Sequence, residues 1–159
     1  MSKIIVRMAD YAVARKPTRL VSLGLGSCVG IALYDPQVQI GGLVHIMLPS
    51  VNLARSKDNK AKFADTGIAH LVKEMQKEGA LKQRMVAKIA GGASMFSFTS
   101  DCQMNIGERN VEMTKKVLAE LGVKIIAEDT GMDYGRTIEL DTETGMLQVR
   151  SMRKGNKEI

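Results

Sequence analysis

Two side chains in this sequence have the types and the spacing for nucleophilic catalysis: Cys28 and His45. Cys28 lies within LGLGSCVG (23–30), where glycines at 24 and 26 permit a tight backbone bend that residues with a Cβ resist. Such a bend can turn successive N–H groups outward, as an oxyanion hole requires. A thiol just beyond it becomes a nucleophile when a neighbouring imidazolium lowers its pKa from about 8.5 toward or below neutrality.

The intervening residues decide whether thiol and imidazole meet. Asp35-Pro36-Gln37-Val38 supplies turn residues between the apolar runs Cys28–Tyr34 and Ile40–Leu48, which reads as a β-hairpin. A two-residue loop at Pro36-Gln37 places Cys28 directly opposite His45, with Cβ atoms roughly 4.5–5.5 Å apart. A longer loop, or a bulge at Gly41-Gly42, shifts that register, and a slip of one residue puts the pair on opposite faces. Ser22, the lone hydroxyl in Leu20-Val21-Ser22-Leu23, is the candidate third member, because a buried hydroxyl needs a partner and can orient the imidazole. The catalytic candidates are therefore Cys28, His45 and Ser22.

Each residue also has a plainer reading. A cysteine in an apolar strand is ordinarily a small buried hydrophobe, and a lone histidine is ordinarily structural. The glycine bend and the hairpin together strengthen the catalytic reading and leave the structural one open. A dinucleotide loop is excluded because its third glycine would stand where Val29 does and a helix would follow; a phosphate loop lacks its Gly-Lys-Ser/Thr. Zinc is disfavoured because neither Cys-x-x-Cys nor His-x-x-x-His spacing occurs. Cys102 and His70 read as incidental and structural.

The elements that position these groups are mostly short strands. Leu20–Leu23, Cys28–Tyr34, Ile40–Leu48, Met85–Ala90 and Val123–Ala127 are apolar and bounded by Gly, Pro or charge, and Arg136 to Arg150 reads as a hairpin turning at 142–145. Two helices are expected. One carries Phe63, Ile68, Leu71, Val72 and Met75 and stops at Gly79. The other opens with an Asn105/Glu108 capping box, carries Val111, Val117, Leu118 and Leu121, and ends at Gly122. Residues 49–62 are polar and aperiodic, as in a mobile loop. The fold class expected is α+β: mixed, mainly antiparallel β layers with both helices packed on one side.

The 159 residues suit one domain spanning 1–159. Two distant cysteines are no disulfide scaffold, MSKIIVRMAD has no signal-peptide core, and no run reaches the ~18 apolar residues of a membrane span. A cytoplasmic protein without membrane insertion is expected. The net charge of +6 is spread along the chain, and the three Tyr and three Phe do not interleave with basic runs, which disfavours nucleic acid as a partner.

In MADYAV (8–13), LGLGSCVGIALYDP (23–36), GGLVHIMLP (41–49), KFAD (62–65), KIAGGASMF (88–96), NIGERNV (105–111) and AEDTGM (127–132), the sequence resembles the CheD family of chemoreceptor glutamine deamidases over nearly its whole length. The resemblance implies an α/β/β sandwich and hydrolysis of glutamine side chains on methyl-accepting chemotaxis receptors, through a cysteine thioester and without metal or organic cofactor. It assigns the roles to Cys28, His45 and a hydroxyl six residues before the cysteine, here Ser22 where the family pattern has Thr. It also implies a partner, CheC, a phosphatase of the response regulator CheY. A regulator that binds receptor or CheC without turnover is the alternative; a general thiol protease or amidase is a third reading.

Overall fold

The computed structural model describes residues 2–94 and 105–159. Ten strands run through it in chain order: β1 (Lys3–Ile5), β2 (Asp10–Arg15), β3 (Arg19–Leu25), β4 (Val29–Asp35), β5 (Ile40–Ile46), β6 (Val86–Gly91), β7 (Lys124–Thr130), β8 (Arg136–Asp141), β9 (Leu147–Ser151) and β10 (Gly155–Glu158). Two α-helices accompany them, α1 (Ala64–Lys77) between β5 and β6, and α2 (Ile106–Leu121) between β6 and β7.

The strands form two five-stranded sheets, β2-β5-β4-β6-β7 and β1-β3-β8-β9-β10. Only the β1–β3 and β6–β7 pairs are parallel. The fold is α+β, as expected, and its layers follow from the alternation of side chains along β4 and β5. Val29, Ile31, Leu33, Val44 and Ile46 face one way and pack with Ile68, Leu71, Met75 and Leu118 of the helices. Cys28, Ala32 and Leu43 face the other way and pack with Leu20, Ile138 and Leu140 of the second sheet. The first sheet is thus buried on both faces, and its central strands read as continuous apolar runs.

Both helices begin and end near the places their sequences indicate. Asn105 caps α2 by accepting from the Glu108 N–H, and Gly122 ends it in the left-handed conformation. The capping box is one-sided, however: the Glu108 carboxylate accepts from the Asn105 side-chain amide rather than from its backbone N–H. Residues 49–62 contain two single turns of 3₁₀ helix, Val51–Leu53 and Lys60–Lys62. The first is fastened to α1 by the Asp65 carboxylate, which accepts from the Ser50 hydroxyl and the Val51 N–H.

Three strands were not legible. β1 and β10 are short and fully exposed, so they carry no apolar alternation to read. β2 is half-exposed at the sheet edge, and its apolar content is mostly alanine. Among the described residues no helix is long and apolar enough to cross a membrane.

Candidate active site

The β4–β5 hairpin closes through four residues, Pro36 to Gln39, not two, so that Asp35 pairs with Ile40 and Gly30 with His45. The direct Cys28–His45 pairing expected from a tighter turn is therefore displaced by two positions. A shift of two preserves the face. Cys28 lies in the bend immediately before β4, two residues from the Gly30 that pairs with His45. The missing side chain of Gly30 leaves its place to Ile138 and Leu25 from the facing sheet.

Both groups lie in the space between the sheets. Cys28 is 9% exposed and His45 2%. Burial pushes the thiol above its ordinary range, with its own backbone N–H pulling the other way. Burial also pushes the imidazole below its ordinary range, opposed by the Val6 carbonyl. Desolvation penalises whichever form is charged, so burial disfavours both the thiolate and the imidazolium. Neither ring nitrogen of His45 has a hydrogen-bond partner among the described residues, so the pair is adjacent and not yet joined.

Ser22 lies in the other sheet, on β3, opposite Ile138 and fully buried. Its hydroxyl donates to the Val6 carbonyl at 2.8 Å and not to His45. The same carbonyl raises the His45 pKa. Ser22 thus meets His45 through Val6, by fixing the oxygen beside the ring. Asp10 stands directly opposite His45 from β2, but its carboxylate accepts from the Tyr11 N–H.

The bend before Cys28 depends on Gly24, at φ +61°, where a Cβ is unfavourable. Beyond it, three successive carbonyls are held against one wall. Gly26 O accepts from the Ala93 N–H at 2.9 Å, Ser27 O from the Asn110 side-chain amide at 2.9 Å, and Cys28 O from the Gly92 N–H at 2.8 Å. A trans peptide directs its N–H opposite to its C=O. The Ser27 and Cys28 N–H groups therefore turn away from that wall, and among the described residues neither donates to a backbone oxygen. The Cys28 N–H lies close enough to its own sulfur to lower the thiol pKa. An oxyanion formed on a carbon bonded to that sulfur would find this donor beside it.

Gly91 explains the GGA motif. At φ +112° it presses so closely on Cys28 that a Cβ there would collide with the Cys28 carbonyl oxygen. Gly107 at the start of α2 lies equally close to the Ala93 oxygen. The motif is thus a close backbone junction behind the nucleophile. Cys102 lies outside the described residues, and His70 packs edge-on against Tyr11, away from the pair.

One contributor escaped the sequence reading. Asn110 is fully buried on α2 and donates to Ser27 O at 2.9 Å and Met47 O at 3.0 Å, one carbonyl beside each candidate. Its signal was present: Asn110, Thr114 and Val117 share the buried face of α2, and a polar residue there implies a partner.

The chain is similar to known proteins over nearly its whole length. The family model described as CheD chemotactic sensory transduction matches residues 47–151. A protein of Caldanaerobacter subterraneus subsp. tengcongensis is 56% identical, over 99% of both chains, and one of Lachnoclostridium phytofermentans is 50% identical, over 98% of both; each is named "Probable chemoreceptor glutamine deamidase CheD". A third, "CheD 1" of the same name from Methanosarcina acetivorans, is 48% identical over 98% of this chain and 96% of its own. Among solved structures, the Bacillus licheniformis hypothetical protein YfiH shares the fold with a TM-score of 0.52 at 15% identity, over 78% of this chain and 51% of that one. Similar from end to end to such relatives, and matched by the family model over most of its length, the chain belongs to the CheD family.

Proposed function

We propose that this protein is a cytoplasmic single-domain hydrolase that converts glutamine side chains on chemoreceptors to glutamate, with Cys28 as nucleophile and His45 as acid and base. The observation that carries this reading is that a buried thiol and a buried imidazole lie on one face of the β4–β5 pair, with backbone N–H groups beside the sulfur that donate to no backbone oxygen among the described residues. The names of the relatives support the substrate.

Because burial disfavours the charged form of each group, proton transfer accompanies attack. As the glutamine amide reaches Cys28, His45 takes the thiol proton and sulfur bonds to the carbonyl carbon. The oxyanion is held by the Cys28 N–H and its neighbour in the bend. The imidazolium returns the proton to the amide nitrogen, the C–N bond breaks, and ammonia leaves a thioester. His45 then deprotonates water, which attacks the thioester, and the sulfur departs with the proton. One amide and one water give a carboxylate and ammonium, adding one negative charge to the receptor. No step calls for a metal or organic cofactor. Ser22 serves this cycle by fixing the Val6 carbonyl, the oxygen that opposes the effect of burial on the His45 pKa.

The cost of charging the pair, and its lack of a joining hydrogen bond, also favour a second reading, in which the chain binds receptor or a CheC-type phosphatase without turnover. One experiment separates them. A chemoreceptor cytoplasmic domain is incubated with the protein and its glutamines are read by mass spectrometry. Exchange of NH2 for OH that is lost in Cys28→Ala supports hydrolysis; no exchange by the unaltered protein sinks it.

A further inference from the structure

We infer that Asn110 is a positioning residue of the catalytic centre, acting through the Ser27–Cys28 peptide and the end of β5. The inference rests on Cys28 and His45 being the reacting pair. Asn110 is fully buried, and its amide nitrogen donates to Ser27 O at 2.9 Å and to Met47 O at 3.0 Å. Two carbonyl acceptors fix which end of the side-chain amide is nitrogen.

These two oxygens are not arbitrary. Ser27 O belongs to the same peptide as the Cys28 N–H, the group that lies against the sulfur and faces away from α2. Holding that carbonyl therefore aims that N–H. Met47 lies two residues beyond His45 on the adjoining segment, and it continues β5 past its last paired residue, Ile46. One side chain thus spans the ends of the two strands that carry nucleophile and base, where the β4–β5 ladder has stopped. No backbone bond joins Ser27 to Met47 among the described residues. Gly107, on the first turn of α2, permits the close approach to Ala93 that brings Asn110 within reach.

Removing the two donors leaves the fold its core but frees the thiol-bearing peptide. Misplacement of about 1 Å in a reacting group can cost roughly 10²-fold in rate. For Asn110→Ala, and for the near-isosteric Asn110→Asp, we expect kcat on a chemoreceptor cytoplasmic domain to fall by about that factor with KM little changed. The pH profile of Cys28 alkylation by iodoacetamide should move to higher pH, because the N–H that lowers the thiol pKa is no longer held in place. Val117→Ala, a cavity on the same buried helix face, should lower Tm while leaving both readouts unchanged. Should Asn110→Ala fail to fold, Asn110→Ser keeps one hydroxyl donor and is measured in the same way. The inference is overturned if the Asn110 variants lose no more activity than Val117→Ala at equal loss of Tm, or if the alkylation profile stays put. Cys28→Ala tells the two levels apart: turnover surviving in that variant removes the reacting pair itself, whereas an inactive Cys28→Ala beside a fully active Asn110→Ala removes only the role of Asn110.

Discussion

Gly30 stands directly opposite His45 across the β4–β5 pair, and Cys28 lies two residues from it on the same face. A side chain at Gly30 would run into Ile138 and Leu25 of the facing sheet, so the place beside it is filled from that sheet and not from β4. The buried imidazole has no hydrogen-bond partner for either nitrogen among the described residues. Such a group is costly to bury, at about 1–3 kcal/mol for an unsatisfied donor or acceptor. That cost marks a residue retained for chemistry rather than for stability.

His45→Leu should therefore be more stable than the native protein, by about 1 kcal/mol, and inactive. General acid and base catalysis contributes roughly 10²–10⁴-fold, so His45→Ala should lose activity on that scale. Thermal unfolding and the receptor mass assay, run side by side, check both halves. A less stable His45→Leu would show that the imidazole supports the fold.

Ser22→Ala should slow turnover less than His45→Ala, because it removes only the donor to Val6 O. Ser22→Thr keeps the hydroxyl and adds the β-branch that restricts its rotamer, so it should keep most of the activity. Steady-state kinetics on one receptor fragment gives the order, and a slower Ser22→Ala than His45→Ala reverses the assignment.

The pH dependence follows from burial. Native His45 titrates below the ordinary 6.5, so at pH values below 6.5 the unfolded chain binds the proton more readily. The contribution of His45 to stability is complete above pH 6.5 and is lost as pH falls from there. Tm should decline across that window in the native protein and not in His45→Gln. Asp35 and Glu139 resist the effect of burial through Arg84 and through Arg19 with Lys3, which hold both carboxyls below their usual range. Their contribution disappears only at more acid pH. The acid limb of kcat/KM should likewise lie below pH 6.5, where His45 becomes protonated.

Alkylation of Cys28 should be slow at neutral pH and still accelerating above pH 9, the ordinary thiol value that burial raises. Mass mapping with iodoacetamide across pH gives the profile. Saturation near pH 7 would reveal a resting thiolate and an imidazolium beside it.

Gly91→Ala should abolish activity and cost several kcal/mol, since it combines a positive φ with a collision against the Cys28 carbonyl. Loss of Tm together with loss of turnover confirms the junction. Near-native behaviour would mean that the backbone behind Cys28 can yield.

The amino-acid order by itself determined the elements with strong periodicity: α1 and α2, the central strands β4 and β5, and the α+β class. It also singled out Cys28 and His45, because a glycine bend followed by a hairpin is a local device whose partners lie close in sequence. What it could not supply was anything set by packing between distant segments. The turn closes over four residues instead of two, and only the fit of both faces of β4 and β5 between helices and second sheet selects that register. Ser22 lies in the opposite sheet and bonds to Val6, and Asn110 reaches across from α2 to two carbonyls on separate strands. The cost of charging either member of the pair was set in the same way. Periodicity records which face of an element is buried, but burial depth, and with it the charge a thiol or imidazole can carry, exists only once the layers have closed around them.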